Sequence, residues 1–144
     1  MLEIIPWAST LMIGLFTGSL LSEAIIMVPY WRKMKPTDFF RLHGTLGPNL
    51  FRFFAPLTTL AVGLGIANAI IDQGQHLAWM LTAILCAITL AIFFLYFRKA
   101  NASFADHSLT EDALEGELRR WAFWNWTRTT LMLAAFGLSI SGHM

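Results

Sequence analysis

The sequence predicts an all-α integral membrane protein, a single domain whose four transmembrane helices form an up-down bundle. Of its 144 residues, 56% are hydrophobic and only 13% are charged. The charged residues cluster in short stretches and leave apolar runs of roughly 20 residues, the length that crosses a ~30 Å hydrocarbon layer. The connections between these runs are short, which favours antiparallel neighbours in a bundle.

Four spans are predicted, at residues 4–30, 46–71, 77–97 and 119–140. The first is too long for a cleaved signal peptide and lacks a basic leader. The second has a mixed lead-in from Phe39 to Asn49, where two glycines and a proline indicate an interfacial or kinked entry. The third is nearly all aliphatic, with Cys86 as a small mid-span residue, and is interpreted as scaffold. The fourth has a polar start near Thr110 and is expected to project beyond the membrane.

The cations indicate the orientation. The connections before spans two and four carry or border the basic residues Arg32, Lys33, Lys35, Arg98, Lys99, Arg119 and Arg120. Residues 1–3, 72–76 and 141–144, on the opposite side, contain no Lys or Arg. The positive-inside rule therefore places both basic loops in the cytoplasm and both termini outside an inner or plasma membrane. The net charge of +1 gives no argument for nucleic acid as a partner.

The first span contains a small-residue edge and one carboxylate. Gly14, Gly18 and Ser22 follow at four-residue steps, a pattern that lets another helix approach closely, within the chain or in a homo-oligomer. Glu23 lies roughly 28 Å along the helix from Ile4. A carboxylate at that depth costs a few kcal/mol unless it is paired, so Glu23 is expected to face the bundle and to have a partner.

The fourth span contains a fixed cation. Trp121, Asn125 and Arg128 share one helical face at i, i+4 and i+7, and Met132 and Ala135 continue the same stripe. Counted inward from Ile140, Arg128 lies about 18 Å deep, in the inner third of the bilayer, as Glu23 does. The sequence therefore predicts that the two charges meet.

The second span carries a polar stripe with a period near 3.5, formed by Thr45, Asn49, Arg52, Pro56, Thr59 and Gly63. The stripe is expected to face the other helices and to bring Arg52 into the bundle. His43 precedes Arg52 by nine residues, about 180° around an ideal helix. Both can point inward only if the Gly-Pro segment bends, and a straight helix would leave His43 at the headgroup surface.

The polar residues expected at one depth are Glu23, Asn49, Arg52, Asn125 and Arg128. The expected walls of the cavity around them are Trp121, Trp124 and Trp126. Ionisable residues inside a membrane indicate a functional site by default. The alternative is that snorkelling and ion pairing only fix the bundle.

Several short motifs resemble the anthrone oxygenase-like family of small four-helix membrane proteins. They are Gly14-Leu15-Phe16-Thr17-Gly18 with Glu23 and Pro29, Arg98-Lys99-Ala100-Asn101, and Leu118 to Phe136 with its Trp-x3-Asn-x2-Arg pattern. The best-known members of that family oxidise polycyclic anthrones to anthraquinones with molecular oxygen. The resemblance implies an oxygenase or oxidoreductase, with roles for Glu23, Asn101, Trp121, Asn125 and Arg128.

A monooxygenase-type hypothesis follows. Glu23 or His43 would remove an acidic proton from a small hydrophobic aromatic substrate, and Arg128 with Asn125 would stabilise the oxyanion that forms. The substrate would be held by Asn49, Arg52, Asn101, Trp121 and Trp124. No pattern of metal ligands is present, and the cofactor is left open between none and haem b.

Two further readings stay open. In the first, His43 is the axial ligand of haem b, and Arg41, Arg52 or Arg128 hold its propionates. No second histidine is expected at that depth, so only a single-His haem is compatible. In the second, the chain is a non-catalytic membrane subunit or a lipid-binding protein.

Overall fold

Four long helices form the molecule. A computed structural model describes residues 4–72 and 77–143, and all regular secondary structure in these ranges is helical. The helices are α1 (Ile4–Trp31), α2 (Pro36–Ile71), α3 (Leu77–Ala105) and α4 (Glu111–Ser141). The all-α prediction is confirmed. The predicted turn at residues 73–76 and the termini at 1–3 and 144 lie outside the described residues.

Three of the helices, α1, α2 and α3, are long and apolar enough to cross a membrane. At 1.5 Å per residue the 28 residues of α1 extend about 42 Å, well beyond a ~30 Å hydrocarbon layer. The helix α4 does not meet the same standard, because Asn125, Thr127 and Arg128 interrupt its apolar sequence. A membrane character is therefore supported for three helices, and a fourth span stays a prediction.

The helices run up and down in the order of the chain. Both α1 and α3 pack against α2 and α4. The Ser9 hydroxyl of α1 donates a hydrogen bond to the Leu64 carbonyl of α2 at 3.0 Å. The Thr17 hydroxyl donates to the Met132 carbonyl of α4 at 3.1 Å. Short connections between these long helices make each pair of neighbours antiparallel.

The buried side chains form two clusters along the bundle axis. The cluster nearer the predicted outer end contains Ile13, Phe16, Leu20, Ala61, Val62, Cys86, Met132 and Ala135. The other cluster is rich in aromatic rings and contains Val28, Trp31, Phe39, Phe40, Ile92, Phe97, Ala100, Phe104, Leu114, Leu118 and Trp121. Buried Glu23, Asn125 and Arg128 belong to neither cluster and fall between them along α1 and α4. A polar layer thus divides the core.

The helix α2 begins earlier than predicted. It runs without interruption from Pro36, which occupies the first turn, and includes Pro48 and Pro56 in its interior. The lead-in from Phe39 to Asn49 is therefore part of one continuous helix and not a separate element. An interfacial position or a bend near Pro48 stays a prediction. An interior proline costs about 3 kcal/mol. Burial of Phe39 and other side chains of the lead-in against the bundle offsets that cost.

The face that α2 presents to the bundle is also opposite to the predicted one. All six residues of the predicted inward stripe are exposed: Thr45, Asn49, Arg52, Pro56, Thr59 and Gly63. The buried residues of α2 are Phe39, Phe40, His43, Ala61, Val62, Gly65 and Asn68. His43 therefore faces inward and Arg52 outward, as a nine-residue separation on one continuous helix requires. The polar stripe misled the prediction because packing of aromatic and small side chains, and not polarity, decides which face is buried.

The small-residue edge of α1 is only partly used within the chain. A Cβ atom added to Gly14 would lie 2.8 Å from Phe136 Cε2 of α4, so this glycine permits a close approach of the two helices. A Cβ atom added to Gly18 would meet no atom of another helix within 4 Å, and Ser22 is exposed. The predicted homo-oligomer contact through Gly14, Gly18 and Ser22 stays a prediction.

Candidate functional site

The α4 stripe faces the bundle as predicted. Trp121, Asn125, Arg128, Met132 and Ala135 are all buried. Asn125 has no exposed surface, and Arg128 is only 7% exposed. A helical face that packs against both neighbouring helices therefore carries a cation and an amide into the core.

Three groups surround the Arg128 guanidinium. Its Nη2 atom donates a hydrogen bond to Asn125 Oδ1 at 2.8 Å and lies 3.6 Å from Glu23 Oε2. Its central carbon lies 3.6 Å from the centroid of the Phe97 ring, which makes a cation–π contact. Asn125 in turn donates to the Leu20 carbonyl at 3.4 Å. The predicted meeting of Glu23 and Arg128 is confirmed, and Phe97 is a member of the site that sequence reasoning missed.

The protein leaves two polar atoms of this group unpaired. Glu23 Oε2 and Arg128 Nε are buried and have no hydrogen-bond partner among the described residues. The 3.6 Å between Glu23 and Arg128 is long for a hydrogen bond, so the pair interacts mainly by charge. A buried polar atom without a partner costs about 1–3 kcal/mol. Such atoms are the ones that a bound molecule could use.

Two π-helical turns border the site. In α1 the turn spans Glu23–Met27, and the Val28 N–H bonds to the Glu23 carbonyl. In α3 the turn spans Phe93–Phe97, and the Arg98 N–H bonds to the Phe93 carbonyl. Each turn includes one of the side chains that contact Arg128. Single π turns inside α-helices are frequently found at functional sites, which adds weight to this location.

His43 faces the interior, but it lies in a group of aromatic rings away from Arg128. Its ring stacks on Phe39 with centroids 5.4 Å apart and meets the rings of Phe104 at 5.2 Å and Trp31 at 6.0 Å, edge to face. His43 makes no hydrogen bond to any residue in the described ranges. Trp31 also contacts Trp121, at 5.6 Å, so the path from His43 toward Arg128 runs through two indole rings.

The other predicted site residues divide into two groups. Asn101 accepts a hydrogen bond from Trp121 Nε1 at 3.0 Å and thereby orients that indole, whose ring centroid lies 6.0 Å from the Arg128 guanidinium carbon. Asn49 and Arg52 are exposed on the outer face of α2 and do not reach the site. Their predicted place beside Arg128 is wrong, because the helix buries the opposite face.

The three tryptophans predicted to line the cavity lie in different environments. Trp121 is buried beside the site, whereas Trp124 is half-buried against Tyr96, with ring centroids 5.8 Å apart. Trp126 is 45% exposed on the outer surface. Phe97 and Trp121, from α3 and α4, are the rings that enclose Arg128. A contact between residues of two different helices leaves no spacing signal in the sequence, which is why Phe97 was missed.

The residues present do not fit the haem reading. The His43 ring is in contact with the rings of Phe39, Trp31 and Phe104, which a porphyrin beside it would have to displace. Of the arginines expected to hold propionates, Arg41 is exposed and paired with Asp38, and Arg52 is on the opposite face of α2. No group of three or more His, Cys, Asp or Glu that could hold a metal ion occurs within residues 4–72 and 77–143.

The fold and the site define a class: a four-helix bundle, largely apolar on its surface, with a buried Glu–Arg–Asn group between two hydrophobic clusters. Comparison of the chain with protein-family models, curated proteins and solved structures finds no match.

Proposed function

We propose that the chain is a four-span integral membrane protein that oxidises a small hydrophobic, aromatic molecule at the Glu23–Arg128–Asn125 site. One observation carries the proposal: Glu23 Oε2 and Arg128 Nε, two buried polar atoms of one charged pair, have no hydrogen-bond partner among the described residues. Structural ion pairs are usually satisfied by further hydrogen bonds. A pair that is not fully satisfied is better suited to act on a guest molecule.

The membrane environment is part of the proposal. Many large apolar side chains on α1, α2 and α3 are exposed, including Ile4, Leu11, Ile25, Phe51, Ile70 and Leu95. Lipid contact accounts for such a surface. The basic connections and the charged ends of α2, α3 and α4 lie at one end of the bundle, which we assign to the cytoplasm by the positive-inside rule.

The aromatic class of the substrate is supported by Phe97. Its ring centroid lies 3.6 Å from the Arg128 guanidinium carbon, so the site accommodates an aromatic face over the cation. A substrate ring would take that place after Phe97 turns aside. Phe97 is the last residue of a π turn, which links the movement to a segment where the regular hydrogen-bond pattern is already broken.

The chemistry uses the two unpaired groups. Glu23 takes a proton from a C–H bond next to a conjugated carbonyl, and Arg128 with Asn125 stabilises the negative charge on the carbonyl oxygen. The electron-rich carbanion passes electrons to molecular oxygen and forms a peroxide, which loses water to leave a new carbonyl. A CH2 group and O2 thus become C=O and H2O, and no other reductant is needed. This reaction follows the resemblance to the anthrone oxygenase-like family.

The test is oxygen consumption with anthrone as substrate, by the protein reconstituted into liposomes. We expect turnover by the wild-type protein, and loss of nearly all of it in Glu23→Gln, which keeps the shape of the side chain but cannot accept the proton. Glu115→Gln is the matched control, since it makes the same change at an exposed position of α4. Full activity of Glu23→Gln would remove Glu23 as the base.

A non-catalytic role is the second candidate, favoured by the tight packing of Phe97 on Arg128. In that case the polar layer only fixes the register of α1 against α4. Phe97→Ala separates the two functions. It should increase anthrone binding if the ring occupies the substrate position, and it should only destabilise the bundle if the layer is structural.

A further inference from the structure

A second polar feature lies away from the buried site, where α1 ends and α2 begins. An open recess of about 580 Å³ is formed there. Its lining, which we call the basic recess, consists of Tyr30, Lys33, Met34, Lys35, Asp38, Arg41, Leu42 and Thr45. The proposed reaction uses none of these residues.

The basic recess carries an excess of positive charge. Its three cations are Lys33, Lys35 and Arg41, and its one carboxylate is Asp38. Arg41 Nη2 lies 3.0 Å from Asp38 Oδ1, which balances one cation. Neither lysine forms an ion pair with any residue in the described part of the chain. Two cations therefore stand uncompensated around a concave surface.

The start of α2 adds backbone donors to the same place. Lys35 is the N-cap residue, with an extended backbone and no side-chain cap, and Pro36 follows it. The first amide N–H groups of a helix have no partner within the helix, and they attract anions together with the helix dipole. Pro36 has no N–H and the Phe39 N–H bonds to the Lys35 carbonyl at 3.0 Å, so the amides of Thr37 and Asp38, next to Lys35 in the chain, are the ones left. The Tyr30 hydroxyl is a further donor in the lining, whereas the Thr45 hydroxyl already donates to the Leu42 carbonyl at 2.9 Å.

A polar track connects the basic recess with the lipid-facing side of α2. Arg41, Thr45, Asn49 and Arg52 follow at steps of three or four residues, and all four are exposed. They therefore share one outer face of the helix. Arg52 forms no ion pair within the described ranges. Side chains on a helix lean toward its N-terminus, so the Arg52 side chain leans toward Asn49 and the recess.

We infer that the basic recess and this track bind the headgroup of an anionic phospholipid in the cytoplasmic leaflet. Cations, uncapped amides and hydroxyls are the groups that bind phosphate. A lipid fits better than a soluble phosphate because the track ends among exposed apolar side chains. Phe51 and Phe53 flank Arg52 and are 62% and 54% exposed, which provides a surface for acyl chains. An arginine on a lipid-facing helix is costly unless its guanidinium reaches the polar interface, where phosphates are available.

The experiment is native mass spectrometry of the full chain in mild detergent, titrated with dioleoylphosphatidylglycerol or dioleoylphosphatidylcholine. We expect tighter binding of the anionic lipid. A cation near an anionic headgroup contributes roughly a fivefold change in affinity. Replacing all three cations by glutamine, in Lys33→Gln/Lys35→Gln/Arg41→Gln, should weaken phosphatidylglycerol binding roughly thirtyfold, since Arg41 is already paired.

The matched control removes equal charge from the other basic connection, in Arg98→Gln/Lys99→Gln/Arg119→Gln, where all three residues are exposed. It should weaken binding no more than about threefold. Equal weakening by both triple variants would mean diffuse attraction and would overturn the site, as would equal binding of the two lipids. Displacement of the lipid by millimolar glycerol 3-phosphate would identify a soluble phosphate as the ligand instead. If the first triple variant does not fold, Arg52→Gln alone should still weaken binding about fivefold, and an unchanged affinity would refute the inference.

Discussion

The Glu23–Arg128 pair makes a strong prediction about stability. Breaking a buried ion pair by removing one partner typically costs 3–5 kcal/mol, because the other charge stays buried without compensation. The 3.6 Å separation and the additional contacts of Arg128 with Asn125 and Phe97 place this pair at the lower limit. We therefore expect Glu23→Gln and Arg128→Met each to lower the free energy of unfolding by about 3 kcal/mol.

The double variant should lose less than the two single variants together. With both charges absent, the remaining loss is the Asn125 hydrogen bond and the cation–π contact with Phe97, about 2 kcal/mol in all. The coupling energy of the two positions is then about 4 kcal/mol. The assay is unfolding in mixed micelles of dodecyl maltoside and sodium dodecyl sulfate, followed by tryptophan fluorescence. Losses that add to within about 0.5 kcal/mol would show that the two charges do not interact, and would refute the reasoning.

Two smaller predictions concern helix packing and pH. Gly14→Ala should destabilise the bundle by about 1 kcal/mol, since the new methyl group presses on Phe136. Gly18→Ala, at an open position, should be neutral or stabilise by up to about 1 kcal/mol through helix propensity. Thermal unfolding of both variants compares them, and equal effects would contradict the close approach of Gly14 to α4. Hydrogen bonds from the side chain and backbone N–H of Ser108 hold the pKa of the Asp106 carboxyl below its ordinary value, so this turn is stable at neutral pH and weakens as the pH falls through the carboxyl titration. The protection factor of the Ser108 amide should therefore fall in acid and become independent of pH in Asp106→Asn, and a pH-independent wild type would contradict it.

Much of the fold could be predicted because the length of an apolar run in the sequence directly indicates a helix that is long enough to cross a membrane. The runs at residues 4–30 and 77–97 correspond to parts of α1 and α3, and the α4 face was identified from Trp121, Asn125 and Arg128. On α4 the buried face is also the face with an unusual charge, so polarity and packing give the same answer. The depth count then placed Glu23 near Arg128, and the structure confirms their contact.

On α2 polarity and packing give opposite answers, and the sequence could not decide between them. Arg52 and Asn49 appear as site residues by polarity, yet both are exposed, while His43 is buried among aromatic rings. If lipid surrounds the bundle, burial of apolar surface cannot select a face, and shape complementarity does so instead. Shape complementarity depends on residues of other helices, and the spacing of residues along one helix carries no information about them. The same limit explains why Phe97 was not anticipated.

The two π turns change how the sequence of α1 and α3 must be counted. A π turn contains one residue more than an α-helical turn, so residues after Met27 and after Phe97 are shifted by about 100° in phase relative to those before Glu23 and Phe93. A single heptad-like frame therefore cannot describe either helix from end to end. Deleting one residue in either turn would restore a regular helix and rotate one half against the other. The two segments of α1, and likewise the two segments of α3, therefore follow different helical frames that meet at the π turns beside Arg128.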